Sequence, residues 1–268
     1  MSKTAEILMD PVVELQLTPN EIRFYREEGY LYIPGAISRE IAAQVREELI
    51  DIMASAGRTY EQLCNNAGAS GKLIQSGQYL RDSALDSYIN SPNLRSLASQ
   101  LVEGEASIYM PFSAVKAGGG GGTFHYHQDN QYTFHDGPSV NLWMAVSPMS
   151  PENGCLNVVP RSHLNGTISA VQNPDGDGHR TVEVEPTQFL PIRMNPGDII
   201  AFSRLTLHGS GPNFTREPRF AYAVQFHRND VRARWEDGEF YSLLERPRFS
   251  KTPVEKLTVP DANAGDGH

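Results

Sequence analysis

Cysteine is scarce in this chain. The two present, Cys64 and Cys155, stand 91 residues apart. Neither belongs to a CxxC pair, which argues against a thiolate zinc site. Two isolated thiols read as reduced cysteines of a cytoplasmic protein. Basic residues are outnumbered, with 23 Lys and Arg against 32 Asp and Glu and a net charge of −9. A nucleic-acid backbone needs a basic surface, so no such partner is expected. No apolar run approaches the roughly eighteen residues that span a bilayer, so no membrane segment is expected. The start shows no basic stretch followed by an apolar one, and the sequence is read without a signal peptide. Five glycines run from Gly118 to Gly122, but no Gly-Lys-Ser/Thr follows, which argues against a P-loop. The run reads instead as a flexible loop, placed as a lid beside the segment that follows it.

What is present suits one domain with a sizeable core: 268 residues, 39% of them hydrophobic. Residues 1–17 read as a loosely held arm, 18–245 as the domain, and 246–268 as a tail with a disordered end. Thr18, Pro19 and Glu21 form the signature of a helix start, and Gly29 stops that helix. Tyr30 to Ile33 reads as a strand. Ser38 caps a second helix with Ile41, Val45, Leu49 and Ile52 on one face. More helix is expected near Ser83 to Tyr88 and Leu94 to Val102, so residues 18–104 form a mostly helical support.

From residue 105 to 228 the pattern becomes one of short β runs bounded by Gly, Pro or Asn. They fall at Ser107–Met110, Ser113–Lys116, Phe124–Gln128, Val140–Val146, Cys155–Val159, Thr181–Val184, Asp198–Phe202 and Phe220–Phe226. The expected fold class is mainly β with flanking α-helices, built on a double-stranded β-helix or jelly-roll core. The stretch from Pro174 to Arg180 reads as an exposed loop.

Chemistry concentrates in His127-Gln128-Asp129, with His208 79 residues beyond Asp129 and Arg219 after it. Two imidazoles and one carboxylate are the ligand set that leaves half of an octahedral iron(II) open. On a strand, His127 and Asp129 would emerge on one face and grip one ion. Arg219 offers a forked, permanently charged group suited to two-point contact with a carboxylate. The plain alternative is that HxD is a common tripeptide and His208 an ordinary strand-end histidine. His125-Tyr126-His127 is an HxH of the cupin kind, yet Gln131 and Tyr132 stand where that motif wants a Glu.

From Thr18 to about Phe226 the chain resembles the phytanoyl-CoA hydroxylase family of iron(II)- and 2-oxoglutarate-dependent dioxygenases. The resemblance rests on Phe24-Tyr25-Arg26-Glu27-Glu28-Gly29-Tyr30, on His127-Gln128-Asp129, and on the strand around Trp143. It continues through Asn153-Gly154-Cys155-Leu156, Pro160-Arg161-Ser162-His163, Pro196-Gly197-Asp198, His208-Gly209-Ser210-Gly211-Pro212-Asn213 and Arg219. It implies that His127, Asp129 and His208 hold Fe(II). Arg219 and Ser210 then anchor 2-oxoglutarate, O2 is the second co-substrate, and Trp143, Gln128 and Lys116 line the co-substrate pocket. Halogenating relatives replace the ligand carboxylate, so Asp129 implies hydroxylation or a related oxidation.

The function expected is oxidation, chiefly hydroxylation, of an unactivated C–H bond in a small organic molecule or secondary metabolite, with release of succinate and CO2. A cupin-type metalloenzyme without 2-oxoglutarate and an acyl-CoA hydroxylase are the alternatives. The latter needs a basic patch for the CoA phosphates, and only Arg228, Arg232 and Arg234 cluster. Substrate contacts are expected from 72–81, 109–112, 130–134 and 228–241, with Tyr79, Gln131 and Arg228 singled out. Substrate identity and oligomeric state stay open.

Overall fold

In the computed structural model, residues 10–65, 79–172, 180–185, 188–235, 238–248 and 253–257 are described. The first helix, α1 (Pro19–Glu28), begins with the Thr18/Glu21 capping box and ends at Gly29, whose φ of 81° lies in the left-handed region. It leads into β1 (Tyr30–Ile33). Ser38 caps α2 (Arg39–Ser55), which buries Ala42, Val45, Leu49, Ile52 and Met53. Next come α3 (Tyr60–Cys64), α4 (Ala84–Ile89) and α5 (Pro92–Val102). Of these only α3 lacks a counterpart in the sequence reading; one turn of helix has too few positions to display a period.

The strands that follow are β2 (Ala106–Lys116), β3 (Phe124–His127), β4 (Phe134–His135), β5 (Ser139–Ala145) and β6 (Asn157–Val158). Then come β7 (Val171–Gln172), β8 (Arg180–Thr181), β9 (Leu190–Pro191), β10 (Ile199–Ser203) and β11 (His208–Ser210). The last are β12 (Arg219–Arg228), β13 (Arg232–Arg234) and β14 (Tyr241–Ser242). The major sheet has the order β1-β10-β5-β12-β2 and the minor sheet β3-β11-β6-β9, both antiparallel. Two sheets face to face with helices outside one of them is the jelly-roll core expected.

β2 is one strand, where the sequence suggested two. Pro111 caused the break in the reading, but β2 is the outer strand of its sheet, where a missing backbone N–H costs little. Its register slips opposite Gln225 and Phe226, so that Tyr109 is an extra residue. The strand expected at Thr181–Val184 is reduced to β8, and that at Cys155–Val159 to β6. Residues 10–17 are held, not loose. Val12 is buried and bridges Ile37, and the Asp10 carboxylate accepts from Ser91 Oγ at 2.5 Å and Asn93 N at 3.0 Å. Near the other end, Val254 bridges Leu80. Residues 1–9, most of the expected 72–81 contact segment, the 174–179 loop and the last ten residues lie outside the described ones.

Alternation along the two central strands divides the core. On β5 and β12 the residues Val140, Leu142, Met144, Phe220, Tyr222, Val224 and Phe226 face the helices, joining Leu49, Leu85, Leu94 and Leu97. Trp143, Ala145, Ala221 and Ala223 face the minor sheet, joining Ala114, Cys155, Leu156 and Val158. Because both faces are covered, β5 is buried throughout, including its two polar residues Ser139 and Asn141.

Candidate metal centre

His127 is the last residue of β3 and lies directly opposite His208 on β11. Their ring centroids are 4.4 Å apart. Each Nδ1 lies against the carbonyl two residues earlier: His127 on His125 O at 2.7 Å, His208 on Thr206 O at 2.9 Å. Donation from Nδ1 fixes both tautomers and makes Nε2 the ligand atom. Asp129 is not on the strand. It opens a 3-10 turn (Asp129–Gln131), and that turn, not strand alternation, swings its carboxylate toward the histidines. Its Oδ1 lies 3.8 Å from His208 Nε2, and one ligand atom from each of the three residues falls within 4.8 Å of the others. Two imidazoles and one carboxylate, largely enclosed, form a donor set that fits iron(II) and leaves one face open.

The carboxylate is itself held. Gln225 Nε2 donates to Asp129 Oδ2 at 2.9 Å, and Asn141 Nδ2 lies 3.4 Å from the same oxygen. Beneath them Arg204 donates to Gln225 Oε1 and to the carbonyls of Asp129 and Thr133. None of these three was singled out from sequence. Counting by twos from Arg219 along β12 does lead to Gln225 on the same face.

Farther along the same inner face, Arg219 is buried. It donates to Gly154 O at 2.7 Å and Ala114 O at 3.3 Å, and its guanidinium lies over the Trp143 ring at 5.3 Å. Its Nε has no hydrogen-bond partner. Burial lowers its pKa to about 10, which leaves it charged at neutral pH. Across the sheet, Lys116 donates to Gly122 O at 2.6 Å and Gly211 O at 2.5 Å, with Ser210 O farther away at 3.3 Å. Burial first, then Arg219, pushes its pKa down to about 6. Ser210 is buried on β11. A buried guanidinium with an unsatisfied N–H, beside a buried lysine, is a socket for a carboxylate. The residues present therefore fit a carboxylate such as a 2-oxoacid carries.

Other expected positions lie elsewhere. Gln128 is fully buried but turns away from the metal. Its amide donates to Gly166 O and Leu205 O and accepts from Ile168 N. Gln131 likewise ties Ile168 O, and Asn130 reaches Thr167 Oγ1. These amides fasten the turn carrying Asp129 to residues 166–168. Tyr79 belongs to the core on the helix side of the major sheet. Arg228 sits at the far end of β12 and is forked onto Asp230 at 2.6 and 2.9 Å. His163 makes a structural contact to Arg26 O at 2.9 Å, joining its turn to α1. The glycine run is not a flexible lid. Gly118, Gly119 and Gly120 donate to Leu63 O, Thr215 O and Asn213 O. A Cβ on Gly118 would stand 2.0 Å from Arg216 O.

The model of the family described as Phytanoyl-CoA dioxygenase (PhyH) matches residues 25–221. A phytanoyl-CoA dioxygenase of Arabidopsis thaliana is 24% identical, covering 80% of this chain and 90% of that one. A methylphosphonate hydroxylase of Gimesia maris is 26% identical, covering 94% of this chain and 96% of its own. Among solved structures, EvdO2 from Micromonospora carbonacea, complexed with 2-oxoglutarate, superposes with a TM-score of 0.67 at 20% identity. That superposition covers 85% of this chain and 96% of EvdO2. Triad, anion socket and family match agree: the chain belongs to the phytanoyl-CoA dioxygenase family and is a non-haem iron- and 2-oxoglutarate-dependent dioxygenase.

Proposed function

We propose that this dioxygenase hydroxylates an unactivated C–H bond of a free small organic molecule, consuming O2 and 2-oxoglutarate and releasing succinate and CO2. The observation that carries the reading is that one face of β12 serves both features: Arg219 forms a socket with Lys116, and Gln225 on the same face holds Asp129 of the His127, Asp129, His208 triad. A diacid held at one end by Arg219 presents its oxoacid end to the triad.

When bound, iron(II) and the oxoacid supply the activation of O2. The chain's own residues do the rest. Arg219 orients the distal carboxylate by two-point contact and Lys116 adds charge beside it. Tyr132, edge-on to His127 at 5.6 Å, and Phe202, 4.6 Å from His208, enclose the histidine rings and exclude water.

A free small substrate is favoured over an acyl-CoA because two of the three clustered arginines are already paired. Arg228 is held by Asp230 and Arg232 by Asp136. Coenzyme A phosphates would have to displace both carboxylates. The methylphosphonate hydroxylase matched over nearly its whole length makes small organophosphonates the first substrates to try. We place the enzyme in the cytoplasm, where its two unbridged thiols stay reduced; no helix among the described residues is long and apolar enough to cross a membrane.

The test is succinate release from 2-oxoglutarate by anaerobically iron-loaded protein after oxygen is admitted, with small phosphonates, other small acids and acyl-CoAs as stimulants. Turnover that vanishes in His127→Ala and is severely weakened in Arg219→Ala, with stimulation by a free small molecule, supports the reading. Metal-dependent oxygen consumption that proceeds without 2-oxoglutarate and is indifferent to Arg219→Ala would establish the cupin-type alternative.

A further inference from the structure

The two oxygens of Asp129 have unequal surroundings. Oδ1 faces His208 Nε2, whereas Oδ2 is occupied by Gln225 Nε2 at 2.9 Å and approached by Asn141 Nδ2 at 3.4 Å. The orientation of the Gln225 amide is forced. Arg204 Nη1 donates to its Oε1 at 3.1 Å, and a guanidinium offers only donors, so the NH2 end must point at Asp129. Arg204 is buried, stacked over the Tyr109 ring at 4.8 Å, and its Nη2 bonds the Asp129 and Thr133 carbonyls. Asn141 and Gln225 are direct partners across β5 and β12, and both are almost wholly buried. Asn141 aims its donor at Asp129 although its own Oδ1 is left without a partner.

We infer that Gln225, with Asn141 beside it and Arg204 fixing its orientation, is a positioning residue that withholds Asp129 Oδ2 from the metal. Asp129 then ligates through Oδ1 alone, and the coordination position a two-oxygen carboxylate would take stays open for co-substrate or oxygen. This rests on the iron and 2-oxoglutarate reading. A carboxylate released from its amide can close on the metal with both oxygens. The cost falls on the open position, not on metal retention.

The test compares wild type with Gln225→Leu and Gln225→Met. The second keeps the length of the side chain while removing the donor, so it reports even where Gln225→Leu fails to fold. Three readouts are taken: iron(II) affinity by calorimetric titration, the visible charge-transfer absorbance on adding 2-oxoglutarate, and the number of metal-bound waters by pulsed EPR of the manganese(II)-loaded protein in oxygen-17 water. The expected result is iron affinity within a few-fold of wild type and one bound water fewer before 2-oxoglutarate is added. The charge-transfer band weakens, and kcat falls by about 10- to 100-fold, the usual effect of losing a partner of a metal ligand. A folded Gln225→Met protein with wild-type water count, band and kcat overturns the inference. A wild type that shows no band at all overturns the dioxygenase reading and this inference with it.

Discussion

Lys116 and Arg219 are direct partners across β2 and β12, two buried basic groups with no carboxylate between them among the described residues. Desolvation first, and then the neighbouring guanidinium, favour the neutral amine of Lys116, and the pair calls for acceptors around it and an anion to come. Backbone carbonyls supply the acceptors: Gly122 O and Gly211 O for Lys116, Gly154 O and Ala114 O for Arg219. The co-substrate supplies the anion.

Proton uptake follows from this. With a pKa near 6, the Lys116 amine is mostly neutral at pH 8, and its two short bonds use the two N–H groups it then has. A carboxylate arriving at Arg219 favours the ammonium. Binding of 2-oxoglutarate therefore takes up close to one proton at pH 8. Affinity falls, by up to about tenfold per pH unit, as pH rises above about 6 toward the pKa of the bound state. Calorimetry in buffers of different ionisation enthalpy measures this directly. Binding with no buffer dependence in wild type, or dependence retained in Lys116→Met, would show that another group titrates.

Arg219→Lys removes the fork and leaves Gly154 O or Ala114 O without its donor. A charge-assisted hydrogen bond contributes about 1.5–3 kcal/mol, so KM for 2-oxoglutarate should rise about 10- to 100-fold. Iron affinity should not change, because Arg219 touches none of the three metal ligands. Parallel loss of iron affinity would mean that the socket and the triad are not independent.

Gly118→Ala should destabilise the fold. The new methyl meets backbone, Arg216 O at 2.0 Å, while Gly118 N is committed to Leu63 O at 2.8 Å. Overpacking of this kind costs about 1–3 kcal/mol, which for a chain of this size is a fall in Tm of several degrees. An unchanged melting curve would show that the glycine run is looser than described.

Arg228→Ala should leave substrate KM within about twofold of wild type. Its guanidinium is spent on Asp230, and a solvent-screened surface pair of this kind adds little to stability. A tenfold rise in KM would return Arg228 to the substrate site.

The triad and Arg219 were legible through the family motifs around them, because HxD alone is a common tripeptide. The caps of α1 and α2 were legible as well, since a cap is settled within four residues. Gln128 and Gln131 were misread for a physical reason. A polar side chain beside a metal ligand suggests lining, yet the residue after a strand-borne ligand points the opposite way, and these two amides fasten residues 166–168. Tyr79 and the glycine run depend on partners far along the chain, Val254 and residues 213–216, which no local pattern reveals. The Gln225–Asp129 contact was hidden in the same way, with 96 residues between its ends.

The alanines of the inner face, Ala114, Ala145, Ala221 and Ala223, are small and buried, and Ala221 and Ala223 stand on β12 between Arg219 and Gln225. They make the sheet a gauge. From Arg219 to Gln225 is six residues of β12, roughly 20 Å of strand. Strand register, which no single side chain can adjust by less than a whole residue, thus fixes the separation of Arg219 from the amide that holds Asp129.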